Sequence, residues 1–275
     1  MPEPLVNARN GRHPALDAAV LGQALVETDR RYFELGARRR ELTGAEMLWI
    51  EGMADLPAAG VVHRVDPAGV ADSAAWIGEV TAALLHAGFR YGRIYLDEPV
   101  EPLESRLAAD GWTMRREPGL VGLAHVPGRE PGVELVPVLD DDDWDAKEQV
   151  HRADAIRPDG HDATASDWVA MEKARVATGE LEAWLVMRDG IVCGTVCSMA
   201  DNVILRNKNL VVHPDHRRRG VGLGVLATLD DMARDRGLVL GTFSVAGEDG
   251  ELLYRAADMS VVVEQREWSR PLEGT

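Results

Sequence analysis

The run Val211-Val212-His213-Pro214-Asp215-His216-Arg217-Arg218-Arg219-Gly220-Val221-Gly222-Leu223-Gly224 sets three arginines and three glycines between an apolar, β-type stretch and a helical one. Those residue types in that order suit the binding of an anion. A helix N-terminus leaves its first N–H groups unpaired and carries the positive end of the macrodipole, so a phosphate seated there is hydrogen-bonded and electrostatically stabilised. Glycines let the main chain approach, and guanidinium groups add charge. The spacing Arg217-x-x-Gly220-x-Gly222 contains neither the Gly-Lys-Ser/Thr of a Walker loop nor a Gly-x-Gly-x-x-Gly dinucleotide fingerprint.

The elements that would hold this loop follow from periodicity. Leu226, Leu229, Met232 and Ala233 recur at helical spacing over 225–236, and Gly237 supplies a stop before the apolar strand 238–243. A second helix carries Leu252-Leu253-Tyr254-Arg255-Ala256-Ala257, and Val261-Val262-Val263 reads as a closing strand. Upstream, 182–187 and 191–197 read as a hairpin turning at Arg188-Asp189-Gly190. This order and the Arg-x-x-Gly-x-Gly loop resemble the GNAT (Gcn5-related) N-acetyltransferase superfamily from about Gly132 to the C-terminus. Asp258-Met259 departs from the Gly-Phe usual in that family's Leu-Tyr-x-x-x-Gly-Phe segment.

The first half repeats the pattern. Helical spacing over 71–87 ends at Gly88, 91–96 reads as a strand, and a helix over 103–109 precedes Gly111-Trp112. Gly88 to Gly111 spans 23 positions and Gly237 to Asp258 spans 21, so the stretches read as copies of one module. The chain therefore resembles tandem GNAT proteins. The expected fold class is α/β (α+β), two GNAT-like domains at 1–127 and 132–275, each a mixed, mostly antiparallel sheet flanked by helices. Segments 47–52 and 60–65 would form the first domain's central hairpin, and His125 to Gly132 the linker. The first copy has no arginine cluster or Gly-x-Gly before its helix, and Leu107 corresponds to Tyr254. It is expected to be non-catalytic, closing one side of the substrate cleft.

The resemblance implies acetyl-CoA, or another acyl-CoA, as co-substrate and direct acyl transfer to the amine of a small-molecule acceptor. It assigns Arg217, Arg218, Arg219, Gly220, Val221, Gly222, Leu223 and Gly224 to the pyrophosphate, the backbone of Leu210, Val211 and Val212 to the acyl carbonyl, and Tyr254 to protonation of the sulfur. Where some members carry a glutamate base, this chain has Arg206. An arginine cannot accept the proton. Asn207 and Asn209 should share one face of their strand and Arg206 and Lys208 the other. Arg206, Asn207 and Asn209, with His161 from the polar stretch 151–162, are the candidate substrate contacts.

Composition bounds the remainder. A chain of 275 residues with 45% apolar content can bury a core in two domains. The net charge of −16 argues against nucleic acid as partner. No apolar run is long enough for a membrane span, no signal peptide opens the chain, and a cytoplasmic monomer or homodimer is expected. Cys193 and Cys197, four apart on one strand, are read as small core residues facing one side, and no metal site is implied. Two other readings stand beside the enzyme. One is a non-catalytic acyl-CoA-binding or regulatory protein, suggested by Arg206. The other is a GNAT-fold aminoacyl-tRNA-dependent transferase, against which the acidic charge counts.

Overall fold

Asp17 caps the first helix, its carboxylate accepting from the Ala19 amide at 2.9 Å. The computed structural model describes residues 17–123, 132–154 and 165–272. The first half runs α1 (Ala18–Glu34), β1 (Arg38–Leu42), β2 (Ala45–Trp49), β3 (Gly60–His63), α2 (Ser73–His86), β4 (Tyr91–Leu96), α3 (Leu103–Ala109) and β5 (Thr113–Val121). The second runs β6 (Val133–Pro137), α4 (Asp141–Asp154), α5 (Ala165–Val176), β7 (Leu181–Arg188), β8 (Ile191–Ala200), β9 (Ile204–Val212), α6 (Val221–Asp235), β10 (Val239–Phe243), α7 (Asp249–Ala256) and β11 (Ser260–Pro271). The expected helices over 71–87 and 103–109 are α2 and α3. The two expected hairpins are β2–β3 and β7–β8, the latter turning on left-handed Asp189 and Gly190. Of the expected linker, only Gly132 lies within the described residues.

The described strands form one sheet, in the order β1-β2-β3-β4-β11-β5-β10-β9-β8-β7-β6. Only β3–β4 and β9–β10 pair in parallel, so the sheet is mixed and mostly antiparallel. Its centre interlocks the halves: β11 lies between β4 and β5, and β5 between β11 and β10. Each half's last strand thus pairs with the other half's preceding one. A buried cluster spans both, joining Tyr32, Phe33 and Tyr95 to Trp144, Val169 and Leu185. The closing strand is much longer than the expected Val261–Val263. Its extra length is polar yet buried, because Gln265 donates to Asp97 at 2.6 Å and Glu267 pairs with Arg93 at 2.6 Å, both partners lying in the first half.

The repeat is visible in the helix ends. Gly88 and Gly237 adopt positive φ, and the next amides, Phe89 and Leu238, bond back to the Leu84 and Ala233 carbonyls. Likewise Trp112 bonds to Leu107 and Met259 to Tyr254, after Gly111 at φ 82° and Asp258 at φ 59°. Leu107 and Tyr254 are therefore equivalent in geometry. Asp258 holds a left-handed conformation that suits glycine, at a cost of about 1 kcal/mol for a residue with a Cβ. Asp258→Gly is expected to raise the melting temperature by about 2–4 °C in a thermal scan, and a fall would show that the aspartate side chain contributes more than its backbone strain.

Cys193 and Cys197 are both buried on β8 but do not face one side. A β-bulge shifts the β7–β8 register between Val186 and Met187, sending Cys193 into the cluster beneath α6 and Cys197 toward Lys147.

Candidate functional site

Two cavities adjoin where β9 and β10 separate. Their parallel pairing ends at Arg206 and Gly241, and beyond it β9 continues beside β8 alone. Val245 borders both cavities.

The larger cavity, of about 1130 Å³, is lined by Leu210, Val211, Val212, Arg217, Arg218, Gly220, Val221, Gly222 and Leu223 among others. Gly220 is the N-cap of α6, with φ 78° and no side chain to satisfy the helix amides. The first helical bond runs from Gly224 N to the Gly220 carbonyl, so the amides of Val221, Gly222 and Leu223 precede the intrahelical ladder. The His213 amide bonds to Cys193 on β8, so alternation directs the Val212 amide and carbonyl to the open edge of β9. That carbonyl accepts from Arg217 Nε at 3.0 Å, and Arg217 also pairs with Asp154. Arg218 lies 3.3 Å from Asp249.

Two residues expected here do not line the cleft. Arg219 offers its carbonyl to Arg188 at 2.8 Å. Gly224 packs against β6, where a Cβ would come within 2.7 Å of Val133. In the first half the corresponding helix start is closed: Asp72 caps α2 and its carboxylate accepts from the Ala75 amide at 3.1 Å. A carboxylate there both occupies an amide and repels phosphate.

The smaller cavity, of about 240 Å³, is lined from both halves, by Tyr32, Phe33, Arg93, Tyr95 and Glu117 on one side and by Arg175, Asn207, Lys208, Asn209, Thr242 and Tyr254 on the other. Tyr254, 7% exposed on α7, accepts from Asn207 Nδ2 at 3.3 Å. Asn209 does not share the Asn207 face as expected. Its φ of 54° marks a bulge in β9, where the register against β8 shifts, and turns its amide onto Tyr32 Oη at 3.1 Å and Glu172 at 2.7 Å. Glu172 is fully buried and paired with Lys147 at 3.0 Å. Arg206, expected to contact substrate, borders neither cavity: it is buried against Asp29 of α1 at 2.5 Å and stacks on Phe243. His161 lies outside the described residues.

Glu117, Arg175 and Lys208 were not singled out as site residues by sequence alone. Burial, reinforced by Glu267, raises the Glu117 carboxyl to about 7. Tyr95 Oη lies 3.3 Å from it. Burial, with Arg206 and Arg175 nearby, lowers the Lys208 ammonium to about 8 despite Asp29 at 3.4 Å. Glu117 sits in the charged run Arg115-Arg116-Glu117, whose polarity masks a strand. The one grouping with metal-ligand composition among the described residues, Glu34, Glu46 and His63, is an ion-pair network, since Arg64 and Arg39 lie against both carboxylates.

Residues 141–249 match the acetyltransferase (GNAT) family model, which encloses α4 to the start of α7 and the whole Arg217–Leu223 seat. The chain as a whole has the fold of GNAT proteins. Similar solved structures include a GCN5-related N-acetyltransferase from Kribbella flavida, with 19% identity, a TM-score of 0.62 and coverage of 95% of this chain and 98% of that one. Another, from Sphaerobacter thermophilus, has 16% identity, a TM-score of 0.56 and coverage of 96% and 95%. A tandem GNAT protein from the clavulanic acid biosynthesis pathway aligns at 13% identity with a TM-score of 0.51, covering 84% of this chain and 79% of that one. No curated protein matches the chain. Among the described residues, no helix is long and apolar enough to cross a membrane.

Proposed function

We propose that the protein is an acyl-CoA-dependent acyltransferase that moves an acetyl group directly to the amine of a small molecule, using one CoA site in the second half. The observation that carries this reading is the junction of the two cavities along β9: residues 210–212 border the cleft that ends on the α6 amides, and residues 207–209 border the smaller cavity. A thioester supplied through the first would meet an amine held in the second. In the reaction the amine nitrogen bonds to the acyl carbon and the carbon–sulfur bond breaks. Glu117 takes the amine proton, and the Tyr254 hydroxyl protonates the departing sulfur. The Val212 amide, on the open edge of β9, stabilises the developing oxyanion. Arg217 and Arg218, with the amides of Val221 and Gly222, hold the pyrophosphate.

Free thiol release from acetyl-CoA across a panel of small amines tests the reading. Tyr254→Phe is expected to lower kcat by about 10²-fold with little change in acetyl-CoA binding. CoA binding without thiol release on any amine would favour a non-catalytic binding protein instead.

A further inference from the structure

Three cationic side chains, Arg93, Arg175 and Lys208, border the smaller cavity with one acidic side chain, Glu117. Arg93 is neutralised by Glu267 at 2.6 Å, and Arg206 and Lys208 share Asp29 at 2.5 and 3.4 Å. Lys147 is matched by Glu172 at 3.0 Å. Arg175, on α5, borders the cavity and is 2% exposed, yet its Nε and Nη1 have no hydrogen-bond partner. Its guanidinium stacks on the Tyr32 ring at 3.9 Å, which fixes its plane without supplying an acceptor oxygen or a negative charge. A buried arginine without a counter-ion is unfavourable unless something that binds there supplies one.

We infer that the acceptor is a small amino acid whose carboxylate pairs with Arg175 while its amine is presented to Glu117 across the same cavity. This rests on the acyltransferase reading above. A planar, forked guanidinium matches a carboxylate, and charge-assisted pairing in an enclosed site is stronger than a neutral hydrogen bond. About 240 Å³ lies below the usual range for drug-sized ligands, so the carbon skeleton is short. Phe33 and Met171 give that skeleton apolar walls. Lys208 borders the same cavity, held over the Tyr32 and Phe33 rings at 4.5 and 5.5 Å, and adds a second cation to it.

The test pairs amino acids with their decarboxylated counterparts: glycine with methylamine, β-alanine and alanine with ethylamine, and γ-aminobutyrate with propylamine. Each is titrated into the full-length protein by calorimetry and assayed in parallel for thiol release from acetyl-CoA. At least one amino acid should bind about tenfold or more tighter than its matched amine. Arg175→Gln should erase that preference and Arg175→Lys should keep part of it, both with wild-type CoA affinity as evidence of a folded chain. Equal affinity within every pair of the wild-type protein, or a preference that survives in a folded Arg175→Gln, overturns the inference. The two readings fail separately. Carboxylate-selective binding without thiol release would leave the Arg175 seat standing and remove the acyltransferase. Thiol release from plain amines as readily as from amino acids would do the opposite.

Discussion

Glu117→Gln is expected to lower kcat by about 10²–10³-fold while leaving CoA affinity unchanged, although Glu117 belongs to the half without the CoA loop. The wild-type pH profile gives the stronger readout. A base works when deprotonated, and burial with Glu267 nearby holds the Glu117 carboxyl at about 7. The rate should therefore rise with pH through about 7 and level off above it, and this limb should vanish in Glu117→Gln. The sign can be checked with a neighbour. The Lys208 ammonium lowers the Glu117 value, so Lys208→Met should move the limb to higher pH. A profile unchanged in Glu117→Gln would exclude it as the proton acceptor. With Glu117 as the base, the absence of a glutamate at position 206 is no obstacle to catalysis, since the strand exchange brings a carboxylate from β5 to the smaller cavity.

Replacing Gly222 with Phe is expected to reduce CoA affinity by 100-fold or more in calorimetry. Gly222 is the second residue of α6 and borders the cleft, and a Cβ there would already lie 2.9 Å from the Leu253 side chain. Leu253 can give way to a methyl group; a ring would have to enter the space before the amides. The matched change at exposed Ala74, Ala74→Phe, should leave affinity within a factor of two, because Asp72 already fills the start of α2. Binding should saturate at one CoA per chain. Two sites of similar affinity would contradict the view that the Asp72 cap closes the first copy.

The loop proposed to seat CoA was legible as a strand-to-helix turn because local sequence determines it: proline, arginines and glycines between a strand and a helix specify a loop whose backbone conformation needs few distant contacts. The duplicated helix–strand–helix pattern was legible for the same reason, down to the equivalence of Leu107 and Tyr254. Periodicity assigned no element to α1, although Leu21, Leu25, Thr28, Asp29 and Tyr32 lie on its buried stripe. Two polar residues in that stripe interrupt the apolar pattern, and Asp29 is buried only because Arg206 and Lys208 arrive from β9.

The small cavity was not legible, and the physical reason is that its parts acquire their roles from charges and surfaces remote in the chain. Glu117 lies in a charged run that alternation does not mark as a strand, and only β11 brings Glu267 beside it. Arg175 carries no motif in the sequence, and only the folded chain buries it against the Tyr32 ring. Asn209 leaves the face that strict alternation assigns it because a bulge inserts one residue into β9. By itself the sequence determined the fold class, the repeat and the glycine- and arginine-rich loop that opens α6, all consequences of short-range spacing. Only the tertiary structure decided the exchange of β5 and β11 between the halves, and with it which carboxylate and which guanidinium border the smaller cavity.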